Sequence, residues 1–287
     1  MLPDVLGDGE LYVAGMAVRN VTVQTAQLAG FAGGGLLVAA LSPQGGLIVD
    51  AVTFALSGVL VLAGVKLRPA AEAEAKHSIL WQAWHGVRLC AGDRGLSSLI
   101  GLAALAGLYM APEGIAAPYA AGLSDDGFAV GLIMAADPAG SVLGALLVMR
   151  VPERWRLNSI GVLAAATGLP LLVCFTRPGL VVSLVAFAMV GVLSTMYLVP
   201  MSAALARGTA NERRAQVMGL YSTTVVTAQG LGALLTGAVA QWLSPATAIA
   251  VSGVAVLILG APLASRWLQT LAGEPARWAP QTEGIGG

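Results

Sequence analysis

Residues 128–149 read FAVGLIMAADPAGSVLGALLVM, and the only charge among them, Asp137, sits near the middle. A helix needs about 20 mostly apolar residues to cross the roughly 30 Å hydrocarbon core of a bilayer. This stretch meets that requirement and has no polar face to turn toward water. Working outward, seven more stretches read the same way: 20–41, 45–66, 96–118, 157–175, 179–201, 217–243 and 247–267. The fold class is therefore all-α integral membrane, with eight transmembrane helices. The lipid bilayer is its solvent.

Composition agrees. Of 287 residues 57% are hydrophobic and 10% charged, and the mean hydropathy is +0.80. Soluble domains carry about 25% charged residues. The net charge is zero and no long basic run exists, so nothing points to nucleic acid. The 37 glycines are expected in lipid, where small residues let helix backbones approach. Gly30 with Gly34, and Gly140 with Gly144, are small-xxx-small pairs of that kind. Cys90 and Cys174 lack metal-ligand spacing and read as small buried hydrophobes.

Positive charge sets the orientation. With eight spans, fourteen of the fifteen Lys and Arg residues fall on alternate sides of the membrane, and only Arg177 departs. This predicts a multi-pass protein of the cell (plasma) membrane with both termini cytoplasmic. The expected layout is a lead-in at 1–19, two helices at 20–67, and a cytoplasmic linker with an amphipathic segment at 68–95. A complete six-helix bundle follows at 96–268, then a tail at 269–287 expected to lack structure.

An internal repeat supports this layout. At an offset of 202 residues, Val23, Thr25, Ala26, Gln27, Gly30, Gly35, Leu41, Ser42 and Pro43 fall on identical residues from Val225 to Pro245, nine matches in 21 ungapped positions. The two spans lie six apart and so run in the same direction. Parallel repeats of six helices are a known transporter plan. On this reading the first half holds only its last two helices.

Several short motifs then line up in order. Gly30-Phe31-Ala32-Gly33-Gly34-Gly35 resembles the antiporter motif of a fifth helix, with Phe31 where that motif has Pro. Leu47 to Phe54 is similar to the start of a sixth helix, and His85-Gly86-Val87-Arg88 to the segment leading into a seventh. Asn211-Glu212-Arg213-Arg214 with Val217-Met218-Gly219 resembles the loop between helices ten and eleven. Together they resemble the major facilitator superfamily, and within it the bacterial macrolide-efflux and enterobactin-exporter group. The resemblance implies a bundle equivalent to helices 5–12 of a twelve-helix transporter. It also implies efflux of drug-like or siderophore-like compounds by alternating access.

Function by alternating access needs a cavity near the midplane and a group whose charge biases two conformations. A charge at the bilayer centre costs roughly 2.5–3.5 kcal/mol on insertion scales, so intramembrane acids are informative. Asp137 is the first candidate: it is central, and the following Pro138 interrupts the helix ladder. Glu113, between Pro112 and Pro118, is the second. Asp50 and Gln27 are further candidates for proton or substrate contact, although a cap or an inter-helix bond would serve equally. Tyr109, Met110, Met134, Met196 and Tyr197 suit either an apolar pocket or plain packing. Arg150, Arg154, Arg213 and Arg214 mark loops that either set topology or gate.

The function expected is transport of small amphipathic molecules, with protons as a coupling partner. The alternative is a non-transporting fragment or a helical subunit needing a partner chain. No Ser/His/Asp set, zinc-type His pair or Walker loop is present in the sequence, so neither an enzyme, nor a metal, nor a cofactor is expected.

Overall fold

A computed structural model describes residues 10–64, 87–88, 90–124 and 127–278, and no strand occurs among them. Readings placed on 65–86, on Asp125 and Asp126, and on the two ends (1–9 and 279–287) lie outside the described residues. Helix α1 is Glu10–Gly64. A segmented run follows: α2 Arg94–Ala104, α3 Ala106–Tyr109, α4 Ala111–Gly114 and α5 Ala116–Ala121. Next come α6 Phe128–Arg150, α7 Glu153–Ala166 and α8 Gly168–Leu171, closed by a 3-10 turn Leu172–Thr176. The last are α9 Leu180–Arg207, α10 Asn211–Trp242, α11 Pro245–Gly273 and α12 Pro275–Trp278.

Seven helices among the described residues are long and apolar enough to cross a membrane. Six of them fall on the stretches expected between 96 and 267, and the seventh, Gln44–Gly64, on the expected second span. The expected first span, 20–41, lies within α1, where Thr25–Val38 reads as an apolar helix. Non-helical backbone at Ser42 (φ 71°, ψ 163°), just before Pro43, parts it from the second span. The repeat equivalent, Ser244, also marks a helix break, capping α11 through Thr247 N.

Small residues set the closest packing. A side chain on Gly140 or Gly191 would strike the backbone of the facing helix, at Ala188 and Asp137 respectively, and one on Gly144 would lie 2.6 Å from the Val192 carbonyl oxygen. Gly140 and Gly144 therefore do pack α6 onto α9. Gly30 and Gly34 do not: a Cβ on either meets nothing within 4 Å. Their neighbour Gly35 takes that role against α6, where a Cβ would lie 2.9 Å from Gly131 Cα.

The segmented run α2–α5 has a local cause. Pro112 and Pro118 each lack the amide that a continuous helix requires. Gly107 and Gly114 let α10 press on the backbone at Ala228, Gly232 and Ala233. Irregular backbone is tolerated at membrane depth only where protein or a cavity covers it. Accordingly Arg94–Gly114 is 65% buried, against 44% or less for every other span.

The C-terminal segment departs from the expectation over 269–278. Instead of an unstructured tail from 269, α11 continues to Gly273 and α12 folds back so that Trp278 is fully buried. Arg277 pairs with Asp93 at 2.6 Å and donates from Nη2 to the Gly208 carbonyl at 2.9 Å. Asp93 also caps α2 by accepting from Gly95 N (2.8 Å) and Leu96 N (3.0 Å). Burial works against its charge. The Leu96 amide, the Arg277 guanidinium and the Gly95 amide outweigh burial and hold the carboxyl below its usual value. The ionised form therefore stabilises the fold above the ordinary carboxylate range, and that stability is lost as pH falls through the depressed value. Asp93→Asn keeps a cap and removes the charge, so it should cost only about 0.5–1 kcal/mol near neutral pH. Asp93→Ala loses the cap too, about 1–2 kcal/mol in all. Thermal unfolding of the purified protein from neutral to strongly acidic pH measures both. The gap between Asp93→Asn and the parent should close at the acidic end.

Candidate functional site

The site is built where the segmented run meets α6 and α9. Asp137 lies about 14 Å along α6 from its first residue, by helical rise. Pro138 follows it, so the Met134 carbonyl has no amide to accept within the helix. From α4 comes Glu113, half-buried, with Pro112 beside it. Asp137, Glu113, Tyr109, Met110, Pro112, Ile133, Phe187 and Val190 line one narrow cavity of about 10 Å³, room for about one water molecule. Glu113 is close enough to repel a charge on Asp137.

The rest of the lining is aromatic and apolar. Tyr197 donates to Tyr109 Oη at 3.0 Å, and the two rings meet edge to face with centroids 6.2 Å apart. Both side chains are fully buried or nearly so. On the Asp137 side, Ser141 Oγ donates to the Gly191 carbonyl at 3.4 Å. That bond and the glycine contact at Gly191 fix how far α9 stands from Asp137.

Of the sequence candidates, the structure brings Asp137 and Glu113 together with Tyr109 and Met110. Met134 and Tyr197 lie behind that lining, and Met196 does not line the cavity. Asp50 and Gln27 stand elsewhere, both on exposed faces of α1, and the Asp50 carbonyl accepts from Thr53 Oγ1 at 2.8 Å. Arg150, Arg154 and Arg213 are exposed, and Arg214 Nε donates to the Ala206 carbonyl at 2.9 Å. Phe187, Val190 and Ile133 were not singled out from sequence. An apolar residue in an apolar span carries no sign of which cavity it faces. Pro112 was visible as a neighbour of Glu113.

A second, larger hollow of about 230 Å³ lies between Pro118, Tyr119, Arg177 and Ser244. Arg177, the one charge that departs from the alternating pattern, closes the 3-10 turn in the left-handed conformation at φ 51°. Among the described residues, no three His, Cys, Asp or Glu side chains gather so as to hold a metal ion.

The sequence model of the Major Facilitator Superfamily matches residues 95–284. No curated protein and no solved structure matches the chain significantly.

Proposed function

The chain belongs to the Major Facilitator Superfamily, whose members carry small molecules across membranes, and we propose that it exports compact amphipathic compounds in exchange for protons. The observation that carries this reading is the meeting of Glu113 and Asp137, from separate spans, in one largely apolar cavity. Carboxyl groups at that depth are costly when charged. Taking up a proton removes that cost, so protonation biases which conformation is favoured. The segmented span supports the same reading, because transporter sites are commonly formed by discontinuous helices. The antiporter-like glycine motif meets α6 at Gly131, six residues before Asp137.

On this reading 96–268 is a six-helix bundle that rocks against a second bundle to which 20–67 belongs. Arg150, Arg154, Arg213 and Arg214 then lie in cytoplasmic loops that gate the motion, in a plasma membrane with both termini inside. A second reading, a helical subunit completed by a partner chain, is favoured by Gln44–Gly64, of which no part is buried.

Reconstituted vesicles carrying a pH-sensitive dye test the proposal against a panel of amphipathic drugs. Drug-driven proton movement should fall more than about tenfold in Asp137→Asn, since about 2.5–3.5 kcal/mol rides on that charge. Full proton-coupled transport in Asp137→Asn sinks the exchange mechanism. Transport that appears only when a partner chain is added favours the second reading.

A further inference from the structure

We infer that the hollow beside Arg177 seats the phosphate of an acidic phospholipid. It stands apart from the Glu113–Asp137 cavity and does not depend on the transport reading. Three connections build it: the chain after α5, the end of the 3-10 turn before α9, and the start of α11. Arg154, at the start of α7, and Arg213 and Arg214, at the start of α10, mark the opposite end of the bundle. At about 230 Å³ the hollow has well over ten times the roughly 10–15 Å³ that one water needs.

Charge and backbone both single out Arg177. Among the described residues it is the one charged group in the lining, and no acid joins it there. A phosphodiester carries one negative charge, which one guanidinium balances, and the planar fork matches two of its oxygens. Other polar groups of the lining are already engaged: Tyr119 Oη with Ser183 Oγ at 2.8 Å, and Ser244 Oγ with Thr247 Oγ1 at 2.8 Å. Arg177 also closes its turn at φ 51°, a conformation that favours glycine. On the orientation proposed above, this end faces outward, where positive charge is disfavoured as well. Two local preferences are thus overruled at one residue, and its side chain lines the hollow.

The surroundings favour a lipid over dissolved phosphate. Pro118, Leu123, Pro178 and Pro245 give the hollow apolar walls. Phe175 lies just before Arg177 in the chain and is exposed, and just before Ser244 come Leu243, also exposed, and Trp242, which is 85% exposed. Large apolar residues bare at the end of a span, tryptophan above all, suit the headgroup level of a bilayer. A lipid there sets its phosphate on Arg177 and its glycerol and upper chains along those residues. The rival partners for Arg177 are Asp125 and Asp126, which follow Leu123 in sequence and lie outside the described residues.

The test titrates the purified chain, in neutral detergent, with short-chain phosphatidylglycerol, phosphatidylcholine of the same chain length, and glycerol 3-phosphate. Binding is read from the rise in thermal midpoint with ligand concentration. Phosphatidylglycerol should bind at least about tenfold more tightly than either companion. Arg177→Gly should abolish that preference, yet without added lipid it should unfold no earlier than the parent, because glycine suits the left-handed turn. Arg177→Lys keeps the charge without the fork and should fall between. Arg266→Gln removes an exposed cation near the other end of α11 and should keep the preference. Equal binding of the two lipids overturns the inference. So does a preference that survives Arg177→Gly, the result expected if Asp125 or Asp126 already neutralises Arg177. Glycerol 3-phosphate binding as tightly as phosphatidylglycerol overturns the lipid and leaves a site for free phosphate.

Discussion

Gly191→Leu is expected to prevent the chain from folding to a monodisperse species. On α9, Gly191 faces α6 so closely that a Cβ would overlap the Asp137 carbonyl oxygen and lie 2.9 Å from the Ser141 amide nitrogen. Both are backbone atoms, which cannot swing away as a side chain can. Overpacking a tight core by a methylene or two already costs about 1–3 kcal/mol, and here even the first carbon has no room. Gly191→Ala should therefore lower the thermal midpoint clearly, and leucine should do far more. Gly30→Leu and Gly34→Leu are the controls, since a Cβ at either position meets open space. They should purify like the parent. Size-exclusion profile and midpoint in detergent decide the matter. A well-behaved Gly191→Leu would mean that α6 and α9 are not in backbone contact. Because the same contact fixes the Asp137 carbonyl, the alanine variant should also weaken whatever binds in the cavity.

The contrast between these glycines shows what sequence reveals in a membrane protein and what it conceals. Span positions follow from hydropathy, which lipid enforces directly. The stretch 128–149 became Phe128–Arg150, and 247–267 became the core of Pro245–Gly273. Rotation of a helix about its axis is not enforced in the same way, because lipid tails and a packed interior are both apolar. Hence in α6 the contact falls on Gly140 and Gly144, while in α1 it falls on Gly35 rather than on Gly30 and Gly34. The repeat conceals a similar choice. Gly232, the counterpart of Gly30, presses on Gly107, whereas Gly237, the counterpart of Gly35, meets nothing. The candidate site is half legible. Asp137 and Glu113 stand out as acids in apolar spans, but their shared cavity depends on the breaks at Leu105, Met110 and Ile115, which prolines suggest and only packing settles.

The C-terminal segment gave no such sign, and it yields the other large effect. Trp278→Ala should cost about 3–5 kcal/mol, the range for removing a fully buried aromatic side chain. Trp278 is 0% exposed and meets Trp267 edge to face, with centroids 5.1 Å apart. It fits into notches that glycine leaves on two other elements, since a Cβ on Gly95 or Gly208 would collide with its ring. The ring thus joins the start of α2, the end of α9 and the last turns of α11. No hydropathy argument finds it, because one aromatic in a polar stretch after a Gly-Glu-Pro break reads as tail. Its Nε1–H is buried without a hydrogen-bond partner among the described residues, at a cost of about 1–3 kcal/mol. Trp278→Phe removes that unpaired donor and keeps most of the ring, so the two effects oppose each other. It should unfold close to the parent, within about 1 kcal/mol. Unfolding of the three proteins in mixed detergent micelles separates packing from polarity. If alanine and phenylalanine prove equally mild, Trp278 is not seated between those glycines, and α12 does not hold the start of the segmented span in place.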